Sequence, residues 1–196
     1  MKLYKTLGRG GVSCNGGTGK WFLPKAGRPG KWMPKILETL VPCEKGYHLC
    51  RFENLLDWLS EEIYEAEGRG DRVECEDKIV FSEARLIRKI KNWNDKTGRL
   101  FTADCTWHVL HIYEKSYPND FRLGSAIRAA RDFANGKITR QTLTAARAAA
   151  RAVWDAWDAR DAIRDAARVA AWEAEDVKKK WQLNKLAEYL GKEIRE

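Results

Sequence analysis

The chain has 196 residues, of which 33% are charged and 44% hydrophobic, and its net charge is +8. A chain of this length can bury one core or two modest ones. It has no apolar run near the ~18 residues that a membrane-spanning helix needs, and its start lacks the apolar core of a signal peptide. We therefore expect no membrane partner and a cytoplasmic location, in which the five cysteines, an odd number, stay reduced.

Positive and negative charges are segregated near the N terminus. Residues 1–51 carry ten Lys and Arg against two Glu, whereas residues 52–77 carry ten Asp and Glu against two Arg. The basic segment alternates cations with aromatic residues, among them Lys20, Trp21, Arg28, Lys31 and Trp32. This pattern is typical of surfaces that attract phosphates and stack on bases. The alternative is that the acidic segment packs beside the basic one and neutralises it.

Short strands and turns dominate the first 93 residues. The predicted strands and extended pieces are Lys2–Leu7, Lys20–Leu23, Lys31–Pro34, Gly46–Cys50, Glu62–Glu67, Arg72–Glu76 and Lys78–Phe81. Gly68–Asp71 is predicted to be a hairpin turn, and Phe52–Ser60 a short amphipathic helix. Glu83–Lys91 fits either a strand or a helix.

From Asn94 onward the pattern predicts helices. The first begins at Asn94 or Asp95 and runs to Ser116, where Pro118 ends it. The second runs from Asp120 or Ser125 to Phe133, with Gly136 as its C-cap.

Thr139 opens an Ala-rich helical segment whose small residues recur at intervals of four and three. This spacing predicts a seam at which another helix backbone comes close, with Ala149, Ala156, Ala167 and Ala170 buried. Arg160 lies in the same stripe, where it must snorkel to solvent or meet a carboxylate.

These elements together predict an α+β fold, with a small N-terminal antiparallel β-rich head followed by an all-helical, Ala-rich C-terminal body. We place the head domain at residues 1–93 and the helical domain at residues 94–196.

Several short runs in the second half resemble a known family. They are Leu100-Phe101-Thr102-Ala103-Asp104-Cys105, Val109-Leu110, Ile112-Tyr113-Glu114, Pro118-Asn119-Asp120 and Ala126-Ile127. Together with the Ala/Arg tract, they resemble a family of bacterial and phage immunity proteins of the polymorphic-toxin type. The run Cys43-Glu44-Lys45-Gly46-Tyr47-His48 and the pair Arg85-Leu86 resemble uncharacterised domains of phage genomes. The resemblance implies a non-enzymatic protein that neutralises a toxin or defence effector by protein–protein binding.

Three motifs suggest chemistry but have weak spacing. Gly16–Lys20 lacks the first Gly and the Ser or Thr of a phosphate-binding loop. Cys43, His48 and Cys50 are soft metal ligands without a Cys-x₂-Cys knuckle, and buried cysteines explain them better.

Tyr47 and His48, with Glu65 or Glu67, have the residue types of an NAD-dependent transferase. No spacing supports that reading, and we expect His48 to be structural and these residues not to converge in one pocket.

We therefore expect a protein partner, with nucleic-acid binding through the basic segment and an NAD-dependent enzyme on the head as alternatives. No catalytic residue, metal ligand or cofactor is assigned. The candidate binding residues are Lys20, Trp21, Arg28, Lys31, Trp32, Tyr47, His48, Arg51 and Arg160.

Overall fold

The computed structural model describes residues 2–14, 16–155 and 179–194. The chain divides into two compact units. One consists of Met1–Asn94 with Leu190–Glu196 and the other of Asp95–Tyr189. We call them the sheet unit and the helical unit and describe each by itself.

The sheet unit contains four antiparallel strands, β1 (Leu3–Leu7), β2 (Tyr47–Leu49), β3 (Glu62–Glu74) and β4 (Ile79–Lys89). Their order in the sheet is β1-β3-β4-β2. A 3₁₀ turn, Phe52–Asn54, and the short helix α1, Leu55–Trp58, follow β2.

The two edges of this sheet are joined at one point. Tyr4 of β1 and Cys50, the residue after β2, exchange two backbone hydrogen bonds of 2.8 and 2.9 Å. Because β1 and β2 are the outer strands, this pair nearly closes the sheet on itself, as in a small barrel. The core within it consists of Leu3, Leu7, Trp21, Met33, Leu49, Tyr64, Ala66, Ile79, Phe81, Ala84 and Leu86.

The segment before β2 follows the sheet without forming a regular strand. The backbone N–H groups of Gly30, Met33 and Ile36 donate to carbonyls of β4 at 2.8 to 3.0 Å. Lys20–Leu23, which was predicted to be a strand, is paired through an isolated bridge between Val12 and Lys20. In the same segment, Trp21 N–H donates a backbone hydrogen bond to Gly11 O.

The hairpin of β3 and β4 differs from its prediction. The predicted turn Gly68–Asp71 lies inside β3, where the register with β4 shifts between Arg69 and Arg72 and Gly70 has a φ of 78°. The chain reverses instead at Cys75–Lys78, where Cys75 N–H donates to Lys78 O at 2.8 Å. Glycine inside a strand marks a bulge as readily as a turn, and the sequence alone does not separate the two.

The helical unit contains α2 (Asp95–Ser116), α3 (Arg122–Ala134), α4 (Arg140–Asp155) and α5 (residues 179–190). The predicted bounds of α2 agree with the structure to within one residue, and α3 begins at Arg122, between the two predicted starts Asp120 and Ser125, and ends one residue after Phe133. Thr139 caps α4, because its hydroxyl accepts a hydrogen bond from Thr142 N–H at 3.2 Å.

Apolar contacts and one polar network join these helices. Ala103 and Leu110 of α2 pack against Ile127 of α3. Asp104 binds Arg131 of α3 at 2.8 Å and accepts a hydrogen bond from the Tyr189 hydroxyl of α5 at 2.7 Å. One carboxylate therefore holds three helices together.

The predicted fold class is contradicted. The structure has a four-stranded antiparallel sheet over residues 3–89 with helices after it, which is an α+β layout, but not a small head followed by an all-helical, Ala-rich body. The head is not small, because β3 and β4 have 13 and 11 residues. The chain also returns to the sheet unit through a 3₁₀ turn, Gly191–Ile194, where Arg88 donates to Glu193 O at 2.6 Å.

The Ala seam is not supported where it can be observed. Ala149 is exposed, contrary to its predicted burial, whereas Leu143 is buried among the residues of α4 whose side chains the structure describes. Leu143 excludes far more apolar surface from water than an Ala does, so it is the residue that the fold buries. Ala156, Ala167, Ala170 and Arg160 lie outside the described residues.

We expect Gly68→Ala to destabilise the protein by about 1–3 kcal/mol, because overpacking a well-packed core costs this much. A Cβ at Gly68 would lie within 2.6 Å of three ring atoms of Phe81, which is buried in the core of the sheet unit. Gly19→Ala is the matched control, since its Cβ would approach nothing closer than 3.6 Å. Equal denaturant midpoints for the two variants would refute this packing argument.

Candidate functional site

A cavity of about 320 Å³ lies in the sheet unit between β1, the Ser13–Gly19 loop and the start of β2. Its wall includes side chains of several chemical types, namely Lys5, Cys14, Trp21, Tyr47, His48 and Lys78. The closure of the sheet at Tyr4 and Cys50 brings these segments together.

Lys5 supplies a partly buried cation to the cavity wall. It lies on β1 between Leu3 and Leu7, on the same face of the strand as these two core residues. Its ammonium is 5.3 Å from the centre of the Trp21 ring. Burial lowers the pKa of Lys5, and the thiols of Cys14 and Cys50 offset this lowering only in part.

Aromatic side chains form another part of the wall. Trp21 is buried and meets Tyr47 edge to face, with ring centres 5.5 Å apart. The Tyr47 hydroxyl donates to Pro34 O at 2.7 Å, which fixes the ring. Burial raises the pKa of Tyr47, so its phenol is neutral.

His48 is held as a neutral imidazole. Its Nε2 accepts a hydrogen bond from Cys43 N–H at 2.9 Å, which stabilises a left-handed turn in which Cys43 has a φ of 69°. Burial lowers the pKa of His48, and the charges of Lys5 and Lys78 lower it further. Its contacts therefore fit the structural role predicted from the sequence.

The two thiols near Lys5 donate hydrogen bonds to backbone carbonyls. Cys14 Sγ lies 3.4 Å from Thr6 O, and Cys50 Sγ lies 3.7 Å from Tyr4 O. Burial raises the pKa of Cys50 to about 12, so this thiol stays protonated. Within the described ranges, no group of three His, Cys, Asp or Glu residues could hold a metal ion.

The cavity brings together three of the candidate binding residues, Trp21, Tyr47 and His48. Trp32 lies apart from them, between the guanidinium groups of Arg69 and Arg85 at 4.0 and 4.7 Å. Arg51 forms an ion pair with Glu74 at 3.0 Å. Lys20, Arg28 and Lys31 are exposed.

The carboxylates of the NAD-type arrangement do not line the cavity. Glu65 forms an ion pair with Arg88 at 2.8 Å, and Glu67 forms one with Arg85. Tyr47 and His48 therefore share a cavity whose lining does not include either glutamate.

Lys5 is the site residue that the sequence reasoning missed. It was counted only as one of ten basic residues in the N-terminal segment. The position of Lys5 in the predicted first strand was the signal that could have identified it. Residues two apart in a strand share a face, and both such neighbours of Lys5 are leucines.

A second concave surface lies in the helical unit. It is a groove of about 760 Å³ formed by the turn between α2 and α3 and by Ala146 and Ala149 of α4. Phe121 lines this groove and is 67% exposed, which is unusual for a large aromatic side chain.

Asp120 makes the turn beside Phe121 rigid. It accepts hydrogen bonds from the Tyr113 hydroxyl at 2.7 Å and from Arg122 N–H at 3.0 Å. The Arg122 guanidinium holds the pKa of Asp120 well below its usual range. Burial and the hydrogen bond to Asp120 raise the pKa of Tyr113 to about 12.

The comparisons with known proteins concern this same part of the chain. Residues 88–178 match the model of a family described as "Imm-5 like putative immunity protein", so this region is immunity-protein-like. No curated protein and no solved structure matches the chain significantly. Among the described residues, no helix combines the length and apolar character needed to cross a membrane.

The lowered pKa of His48 predicts a pH dependence of stability. Below pH ~6.5, the unfolded chain binds a proton at His48 more readily than the folded protein does. The free energy of unfolding therefore falls as the pH drops from ~6.5 toward the lower folded-state pKa.

We expect His48→Gln to remove this fall in the free energy of unfolding between pH 7 and 5, as measured by urea unfolding. His111→Gln, which changes an exposed histidine of α2, should keep the wild-type slope. Parallel pH profiles for the wild type and His48→Gln would contradict the assignment.

Proposed function

We propose that this protein is an immunity protein that neutralises a toxin by binding it, and that the partner contacts the helical unit. The observation that carries the proposal is the match of residues 88–178 to an immunity-protein-like family model. This region includes α2, α3 and α4, and with them the turn that presents Phe121.

The contact surface that we propose centres on Phe121 and its groove. Exposed aromatic side chains on a rigid support are favourable anchors, because binding buries apolar area with little loss of conformational freedom. The Asp120 network supplies this rigidity.

Exposed cations of α3 and α4 favour an acidic partner surface. Arg128, Arg140 and Arg147 are exposed on α3 and α4, and none of them forms an ion pair with a described residue. A surface with unpaired cations accelerates association with a negatively charged partner, and salt reduces that acceleration.

The direct test is to clone the genes adjacent to this one, identify a product that arrests growth, and coexpress that toxin with the chain. We expect the chain to restore growth of cells that produce the toxin, and the purified proteins to form a stable complex. A toxin that remains fully active in the presence of the folded chain would refute the proposal.

Phe121→Ala should weaken this complex by about tenfold or more, because removing a central aromatic anchor typically costs over 1 kcal/mol of binding energy. The thermal stability should change little, since the side chain is exposed. Calorimetric titration of the toxin measures both the affinity and the stoichiometry.

Leu37→Ala is the matched control, because Leu37 is 84% exposed but lies in the sheet unit. Its complex should have wild-type affinity. Equal affinities for Phe121→Ala and the wild type would remove Phe121 from the proposed surface.

A further inference from the structure

The cavity of the sheet unit contains a cation without a counterion. Lys5 is partly buried in this cavity, and no described carboxylate forms an ion pair with it. Glu44 lines the same cavity but is exposed and is not paired with Lys5. Lysines are rarely buried without a partner, because removing an ammonium from water is costly.

The neighbouring groups leave Lys5 as the one available cation of the described cavity wall. Lys78 is bound to Asp77 at 3.2 Å and lies over the Trp58 ring at 4.9 Å. His48 already accepts a hydrogen bond at Nε2, and Cys14 and Cys50 donate theirs to backbone carbonyls. A ligand with a single negative charge matches this set, whereas a phosphate dianion would need further donors.

The remainder of the wall is apolar and aromatic. Trp21, Tyr47 and Met33 line the cavity next to Lys5, and Trp21 and Met33 are core residues. A volume of about 320 Å³ is enough for a ligand of one ring and a short side chain.

We propose that this cavity binds a small monocarboxylate with an apolar, ring-sized body, whose carboxylate pairs with the Lys5 ammonium and whose body packs against Trp21 and Tyr47. This site is separate from the surface proposed for the toxin. The alternative ligand is an acidic side chain of a protein partner, which the experiment distinguishes.

The experiment uses the full chain and phenylacetate as the probe, with phenylacetamide as its uncharged analogue. Isothermal titration calorimetry of the wild type should show one site for phenylacetate. Phenylacetamide should bind at least about tenfold more weakly, because the charge-assisted hydrogen bond is lost. Lys5→Met should lose the preference for the acid, while Lys25→Met, which changes an exposed lysine outside the cavity, should retain it.

Lys5→Met removes an uncompensated charge and keeps the length of the side chain, so we expect it to fold. A second measurement does not depend on that variant. Acetylation of Lys5 in the wild type, followed by mass spectrometry, should be slowed by phenylacetate and not by phenylacetamide.

Equal binding of acid and amide, or no binding of phenylacetate up to its solubility limit, would overturn the proposal. If phenylacetate does not bind and folded Lys5→Met no longer binds the toxin, the proposal is overturned in favour of an acidic side chain of the partner. Failure of the toxin experiment has no bearing on this result, because the cavity assay contains no toxin.

Discussion

The sheet unit depends on the pair of backbone hydrogen bonds between Tyr4 and Cys50. In their absence β1 and β2 would be the two open edges of a four-stranded sheet, each with unpaired backbone groups. With them, the first strand lies beside the end of β2, and Lys5 comes next to Tyr47 and His48, more than 40 positions later in the chain. The candidate cavity is therefore a consequence of closing the sheet. Lys5 lies in this cavity beside the Trp21 ring, and residues 13–14 and 16–19 form another part of the wall.

Strand β4 organises the rest of this unit, since it pairs with β3, with β2 and with the irregular segment that carries Gly30 and Met33. Such crowding requires small residues at particular positions. A Cβ at Gly30 would collide with the backbone carbonyl of Phe22, and one at Gly46 would collide with the Val80 side chain. Glycine at these positions lets neighbouring segments of the chain come close together. This explains why a glycine-rich N-terminal half forms one ordered layer.

Local signals predicted the helical unit better than the sheet unit. The end of α2 before Pro118 and the end of α3 before Gly136 follow from local signals, because chain breaking and left-handed glycine caps act over a few residues. The turn of the β3–β4 hairpin was predicted at the wrong place because Gly70 lies in a bulge of β3, and the pairing of β3 with β4 is decided by residues far away in sequence.

The cavity could be predicted in part, through Tyr47 and His48. Its central residue, Lys5, could not be separated from the other lysines, because burial of a charged side chain is set by tertiary packing and not by composition.

The segregation of charge in the sequence is resolved mainly within the β3–β4 hairpin. Acidic residues of β3 pair with basic residues of β4, as in Glu65 with Arg88 and Glu67 with Arg85. The basic N-terminal segment contributes Arg9, which binds Glu61, and Arg51, which binds Glu74, so it neutralises the acidic segment only in part. Lys45 of this segment pairs with Glu38 at 3.7 Å, whereas its other exposed lysines and the partly buried Lys5 have no ion pair with a described carboxylate. For the exposed ones solvent is sufficient compensation, since water screens a surface charge at little cost. For Lys5 it is less so, because the ammonium lies in a cavity against the Trp21 ring, where that ring offsets part of the desolvation and an anion in the proposed site would offset more.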